Sequence, residues 1–122
     1  MTTWQEELNN ERLASSRWYG CIAPDGWKDI VLRADGMLAY MDPNYKITQI
    51  KEKFGTLRYY FDTEKSGIEL DIMYAIASEA ERMSAQTCET CGKFGELRDD
   101  RSWIVTLCSK CNDERNQKKE GN

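Results

Sequence analysis

Thr87-Cys-Glu-Thr-Cys-Gly92, followed by Trp103-Ile-Val-Thr-Leu-Cys-Ser-Lys-Cys111, is the stretch on which the reading of this chain turns. Cys88 and Cys91 form one Cys-x-x-Cys pair, Cys108 and Cys111 a second, and 16 residues separate the pairs. That spacing is typical of a tetrathiolate zinc site. Soft, charged sulfur suits a borderline-soft d10 ion, and four thiolates close a tetrahedron that leaves no position for water. One structural Zn2+ is therefore expected on Cys88, Cys91, Cys108 and Cys111. Paired Cys-x-x-Cys motifs can also hold an iron–sulfur cluster or form redox-active disulfides. The intervening residues favour zinc, because they can form a hairpin. Gly92, just after the second ligand, allows a sharp turn that aims backbone N–H groups at the sulfurs.

Working outward, Lys93-Phe-Gly-Glu-Leu97 and Trp103-Ile-Val-Thr-Leu107 read as two strands around the polar turn Arg98-Asp-Asp-Arg101. The second ligand pair leads into the helix-prone run Asn112–Lys119. A knuckle, a hairpin and a helix carrying the last ligands is the order of a treble clef, with a zinc ribbon as the close alternative. This module is expected to span 87–122.

Residues 1–86 read as an α+β unit of helices packed with a β-hairpin. Trp4, Leu8 and Leu13 suggest a first helix; Trp27, Ile30, Val31, Ala34, Leu38 and Met41 mark a second, stopped by Pro43. The loop Gly20–Gly26 separates them, with Asp25 as the expected N-cap. The period then falls to about two. Lys46–Lys51 and Thr56–Asp62 read as a hairpin turning at Gly55, with Leu57, Tyr59 and Phe61 facing the core and Arg58 and Tyr60 half exposed. Ser66 and Glu69 have capping-box spacing. They should open a long helix to about Gln86, with Ile68, Ile72, Ile76, Ala80 and Met83 along its buried stripe.

Composition limits what such a chain does. No apolar run approaches the roughly 20 residues of a membrane span, and Met1–Glu7 lacks the basic-then-apolar pattern of an export signal, so a cytoplasmic, reduced setting is expected. Five cysteines without such a signal fit that setting; Cys21, outside the set of four, is expected as a small buried apolar residue. Histidine is missing from the sequence, which removes the commonest general base and the triads built on it. The carboxylates Asp62, Asp99 and Asp100 read as turn and surface residues. No enzyme activity and no small-molecule substrate are expected. The net charge of −4 opposes non-specific binding to nucleic acid.

The segment Gln49-Ile-Lys-Glu-Lys-Phe-Gly-Thr-Leu-Arg-Tyr-Tyr-Phe61, the helix ending Ala80–Ser84 and both cysteine motifs with their flanks resemble a family of small zinc-module proteins of tailed bacteriophages and prophages. The resemblance covers about Trp27 to Cys111. It implies the cytoplasm of an infected bacterium, and a non-enzymatic accessory factor or inhibitor of host machinery, defence nucleases included. From the residues, the leading expectation is binding to a host or phage protein through aromatic anchors. Trp18, Tyr19 and Tyr60 beside Arg58 are the interface candidates, whereas Trp27, Trp103, Tyr59 and Phe61 are assigned to the core. The alternative is a nucleic-acid-binding regulator that uses the hairpin 44–65, where Lys46, Lys51, Lys53, Arg58 and Lys65 mix with Tyr45, Phe54, Tyr59 and Tyr60. Lys51 and Lys53 are its key cations. The helix face carrying Glu69, Asp71, Glu79 and Glu81 reads mainly as a solvated acidic face.

Overall fold

A computed structural model describes residues 2–120, with side chains as far as residue 117. The expected units 1–86 and 87–122 reach Met1, Gly121 and Asn122, which lie outside the described residues. The chain is mixed α and β: α1 (Trp4–Arg12), β1 (Gly20–Cys21), a 3-10 turn (Asp25–Trp27), α2 (Lys28–Met41), β2 (Lys46–Lys53), β3 (Thr56–Asp62), α3 (Gly67–Ser84), β4 (Glu96–Arg98), β5 (Val105–Leu107) and α4 (Ser109–Glu120).

Thr3 caps α1 by accepting from the Glu6 N–H, and Leu8 is its buried residue. The expected loop 20–26 instead contributes a short edge strand: β1 runs parallel to β2, with Gly20 opposite Gln49 and Cys21 opposite Ile50. Asn9 fixes this edge, since its Oδ1 accepts from the Cys21 N–H at 2.7 Å. Asp25 does not cap a helix. Its carboxylate accepts from Trp4 Nε1 at 2.9 Å and Gln5 Nε2 at 3.0 Å, so it ties α1 to the start of α2.

The β2–β3 hairpin is longer than the periodicity indicates, because the two-residue turn Phe54-Gly55 has positive φ at both positions (53° and 84°), a geometry that matches strand twist. Leu57 and Tyr59 are fully or nearly buried, and Phe61 is half-buried, edge-on to Tyr45 at 6.1 Å. Inside the core, the Tyr45 hydroxyl meets the Tyr59 hydroxyl at 2.6 Å and donates to Asp35, which also pairs with Arg12 at 3.0 Å. These partners satisfy phenols that burial would otherwise penalise.

Helix α3 departs from its expected face and cap. Ser66 makes no side-chain capping bond, and Glu69 instead pairs with Lys65 at 3.6 Å, so the capping box does not form. Met73, Ala80 and Ser84 are buried, with Ile76, Ala77 and Met83 partly so, whereas Ile68 and Ile72 are exposed. The rotated stripe also brings Ser84 onto the sheet, where its hydroxyl accepts from the Leu57 N–H at 2.8 Å.

Asp42 ends α2 and accepts from the Thr63 hydroxyl at 2.6 Å and the Asn44 N–H at 3.0 Å. The Thr63 bond first, then that of Asn44, holds its carboxyl below the ordinary value. A depressed folded-state pKa adds stability that is present above the unfolded carboxylate value of about 3.9 and is lost as pH falls through the folded one. Asp42→Asn should therefore lower the melting temperature at neutral pH and flatten the acid limb below about pH 4. Thermal melts of both proteins across pH 2–7 check this.

Candidate metal centre and partner surface

The first thiol pair sits on a turn delivered directly by α3. Thr87 Oγ1 donates to Met83 O at 2.8 Å, and the Thr87 N–H to Ser84 O at 3.1 Å, so no slack separates the helix from Cys88. Gly92 has φ of +82° and closes the turn by donating its N–H to Cys88 O at 2.9 Å. As expected of this turn, its Thr90 and Cys91 N–H groups, with that of Cys108, act on the Cys88 thiol, and the Cys111 N–H lies 3.4 Å from Cys108 Sγ.

Lys93–Gly95 do not extend the strand, because the Cys88 N–H takes Lys93 O at 2.7 Å and the Gly95 N–H goes to Gln86 O. The hairpin shrinks to β4 and β5, with Leu97 opposite Thr106. Trp103 and Ile104 fall in the loop between them. Helix α4 begins at Ser109, earlier than expected, so Cys111 lies in its first turn.

The four Sγ atoms lie within 4.8 Å of one another, and Cys91 Sγ to Cys108 Sγ is 3.7 Å. A tetrahedral ion with bonds of about 2.3 Å to sulfur requires sulfur separations of about 3.8 Å. The group fits a metal ion. Cys88 and Cys111 are buried, Cys108 is half-buried and Cys91 is exposed. Burial pushes the Cys88 thiol up, but the three backbone N–H groups together with the Cys91 thiol outweigh it and bring the value down to about 6. Burial first, then the neighbouring thiols, pushes Cys111 up to about 12. Thiols so close cannot all ionise without a cation between them. Cys21, by contrast, is buried and pushed up to about 11 by its surroundings, which keeps it a protonated apolar filler, as expected.

Several residues that hold the centre in place carry no metal-site signal in the sequence. The Gly26 N–H donates to Glu89 O at 2.9 Å, and a Cβ on Gly26 would stand 2.2 Å from Cys88 O. Trp27, fully buried, donates from Nε1 to Thr87 O at 2.8 Å. Glu89 is buried; its N–H donates to Thr106 O at 3.0 Å, and its carboxylate lies 3.3 Å from the Thr106 N–H and 3.6 Å from Arg115. Desolvation, partly offset by the Thr106 bond, raises the Glu89 carboxyl. Thr106 then reaches the first hairpin, donating from Oγ1 to Gly55 O at 2.6 Å. The thiol cluster is thus keyed to α2 on one side and to the β2–β3 turn on the other.

Interface candidates fare unevenly. Trp18, Tyr19 and Tyr60 are exposed. Arg58 is half-buried and paired with Glu81, so it is not a free contact, and the acidic face is partly neutralised by that pair and by Glu79 with Arg82. Lys51 is half-buried; Lys53 is exposed and lies over the Phe54 ring at 5.9 Å. Trp103 is not core: it is 70% exposed. With Phe54, 66% exposed, it flanks a cleft of about 380 Å³ lined also by Glu52, Lys53, Ser102 and Ile104. A Trp in an apparent strand is a core signal by periodicity alone; only the early end of the pairing turns it outward.

No protein-family model matches the chain, and no curated protein or solved structure matches it either. Among the described residues no helix is long and apolar enough to cross a membrane.

Proposed function

We propose that this protein is a non-enzymatic module, built around one structural zinc on Cys88, Cys91, Cys108 and Cys111 in a treble-clef-like arrangement, that binds a protein partner through the Phe54–Trp103 cleft. One observation carries the reading: two large aromatic side chains from different hairpins stand exposed on either side of a single cleft. Surface aromatics of this kind are the usual anchors of protein interfaces. The Thr106 hydroxyl bonds Gly55 O and so joins the two hairpins that carry the cleft's walls, which gives the zinc a purpose in holding one wall against the other. The lining pairs an acid, Glu52, with a base, Lys53, a mixed rim that suits protein better than phosphate. A phage setting and action on a host protein, such as a defence nuclease, belong to this proposal and rest on the motif resemblance.

The nucleic-acid alternative gains less support. Lys46 and Lys65 share their cavity with Asp42, Asp62 and Glu64, Arg58 is engaged by Glu81, and Glu52 stands between Lys51 and Lys53. The deciding experiment is capture of partners from bacterial lysate by the zinc-loaded protein, with and without nuclease, in parallel with Trp103→Ala and Phe54→Ala. We expect a stoichiometric protein to survive nuclease and to be weakened at least about tenfold by Trp103→Ala, with metal content and melting temperature unchanged. Retention that needs nucleic acid and falls with Lys51 and Lys53 replacement would refute the reading, as would capture indifferent to both aromatic variants.

A further inference from the structure

We infer that the outer face of α2 and α3 is where a second copy of this chain docks, forming a two-fold symmetric dimer. Leu32, Met37, Tyr40, Ile68 and Ile72 are all exposed there, Tyr40 by 89% and Ile68 by 78%. A depression between the helices is lined by Leu32, Arg33, Gly36, Met37 and Tyr40 from one and Ile72 from the other, and Ile68 lies one turn before Ile72 on α3. Their combined exposed area is roughly 600 Å² per copy, so two faces bury at most about 1,200 Å² from these side chains, the lower end for stable specific interfaces. A lone monomer face of this size is at the upper limit of what soluble proteins leave uncovered.

Gly36 supplies an independent observation. It lies in the interior of α2, is exposed, has nothing within 4 Å of where its Cβ would stand, and does not take a positive φ. Glycine weakens a helix relative to alanine, and nothing in the chain's own fold requires it here. A bare backbone in the middle of an apolar face lets another helix approach closely. The helices run antiparallel, since Ile30 and Met83 line one cavity and Tyr40 and Ile72 another. Arg33 and Arg82 lie around Glu79 at one end, and Asp71 with the Lys65–Glu69 pair lies at the other. A two-fold axis near Gly36 makes the contact isologous, so that it closes at two.

The test is sedimentation equilibrium of the zinc-loaded full chain, with Gly36→Ala and Tyr40→Ser. We expect a dimer dissociating in the micromolar range. Tyr40→Ser should weaken it at least tenfold, and Gly36→Ala should weaken it several-fold while raising the melting temperature of the dilute monomer. The second result separates loss of docking from loss of fold. A chain that stays monomeric to about 500 µM, one that forms open-ended oligomers, or a dimer indifferent to both variants overturns the inference. The cleft at Trp103 takes no part in this readout, so the two surfaces stand or fall separately.

Discussion

Cys91→Ser is expected to release the metal and lower the melting temperature by more than about 10 °C. Cys91 is the informative ligand because it is exposed, so a serine there loses no packing and the effect reports the metal alone. Zinc binding to structural tetrathiolate or mixed sites is worth about 10–16 kcal/mol in small peptides, and it is folding free energy. Losing even a quarter of that removes several kcal/mol. Each kcal/mol shifts a domain of this size by several degrees. The melt of the wild-type protein in excess chelator should coincide with that of Cys91→Ser, with or without chelator. Residues around β4, β5 and the first turn of α4 should lose hydrogen-exchange protection first, because the apolar cluster of that region is small: Val105 and Leu107 with Cys88, Cys111 and Cys108. A Cys91→Ser protein that kept both its zinc and its melting temperature would refute the structural role.

Trp27→Ala should be the most damaging single change outside the ligands. The side chain is fully buried among α2 and the sheet, and truncation of a buried aromatic costs about 3–5 kcal/mol. It also strands Thr87 O, which loses the indole N–H one residue before the first ligand. Trp27→Phe separates these effects: it keeps most of the packing and removes only the bond, at about 1–2 kcal/mol. Both variants should bind zinc more weakly, Trp27→Ala more so, as read by competition with a chromophoric chelator. If Trp27→Ala melts far lower yet holds zinc as tightly as the wild type, the tether between core and metal turn carries no energy.

How much of this was legible in the sequence follows from which signals are local. The α2 stripe and the β2–β3 hairpin are encoded by short-range spacing and form where it indicates, the first hairpin strand running two residues further, and the four paired cysteines come together as their spacing suggests. Tertiary decisions were not legible. Ile68 and Ile72 obey helical periodicity as well as Ile76 does, but the face that packs, with Met73, Ala80 and Ser84 on it, is chosen by contacts distant in sequence, such as Ser84 with Leu57 across 27 residues. Trp103 alternates like a strand residue, yet Lys93–Gly95 are already engaged by the metal turn, and pairing stops before it can be drawn in. Gly20 and Cys21 are too short a strand to show a period, and they exist as one only because β2 offers an edge. Gly26 looks like an ordinary loop glycine; its purpose emerges only when Cys88 O is found where its Cβ would be. Phe54 and Trp103 are remote in sequence, so no local pattern could have joined them into a cleft.

The most direct test of the account is the native mass of the purified intact chain, recorded before and after chelation. One zinc per chain, lost on chelation together with the folded charge-state distribution and missing from Cys91→Ser, is the predicted result. Iron with labile sulfide, a mass short by the hydrogens of one or two disulfides, or a metal-free chain with unchanged stability would contradict it.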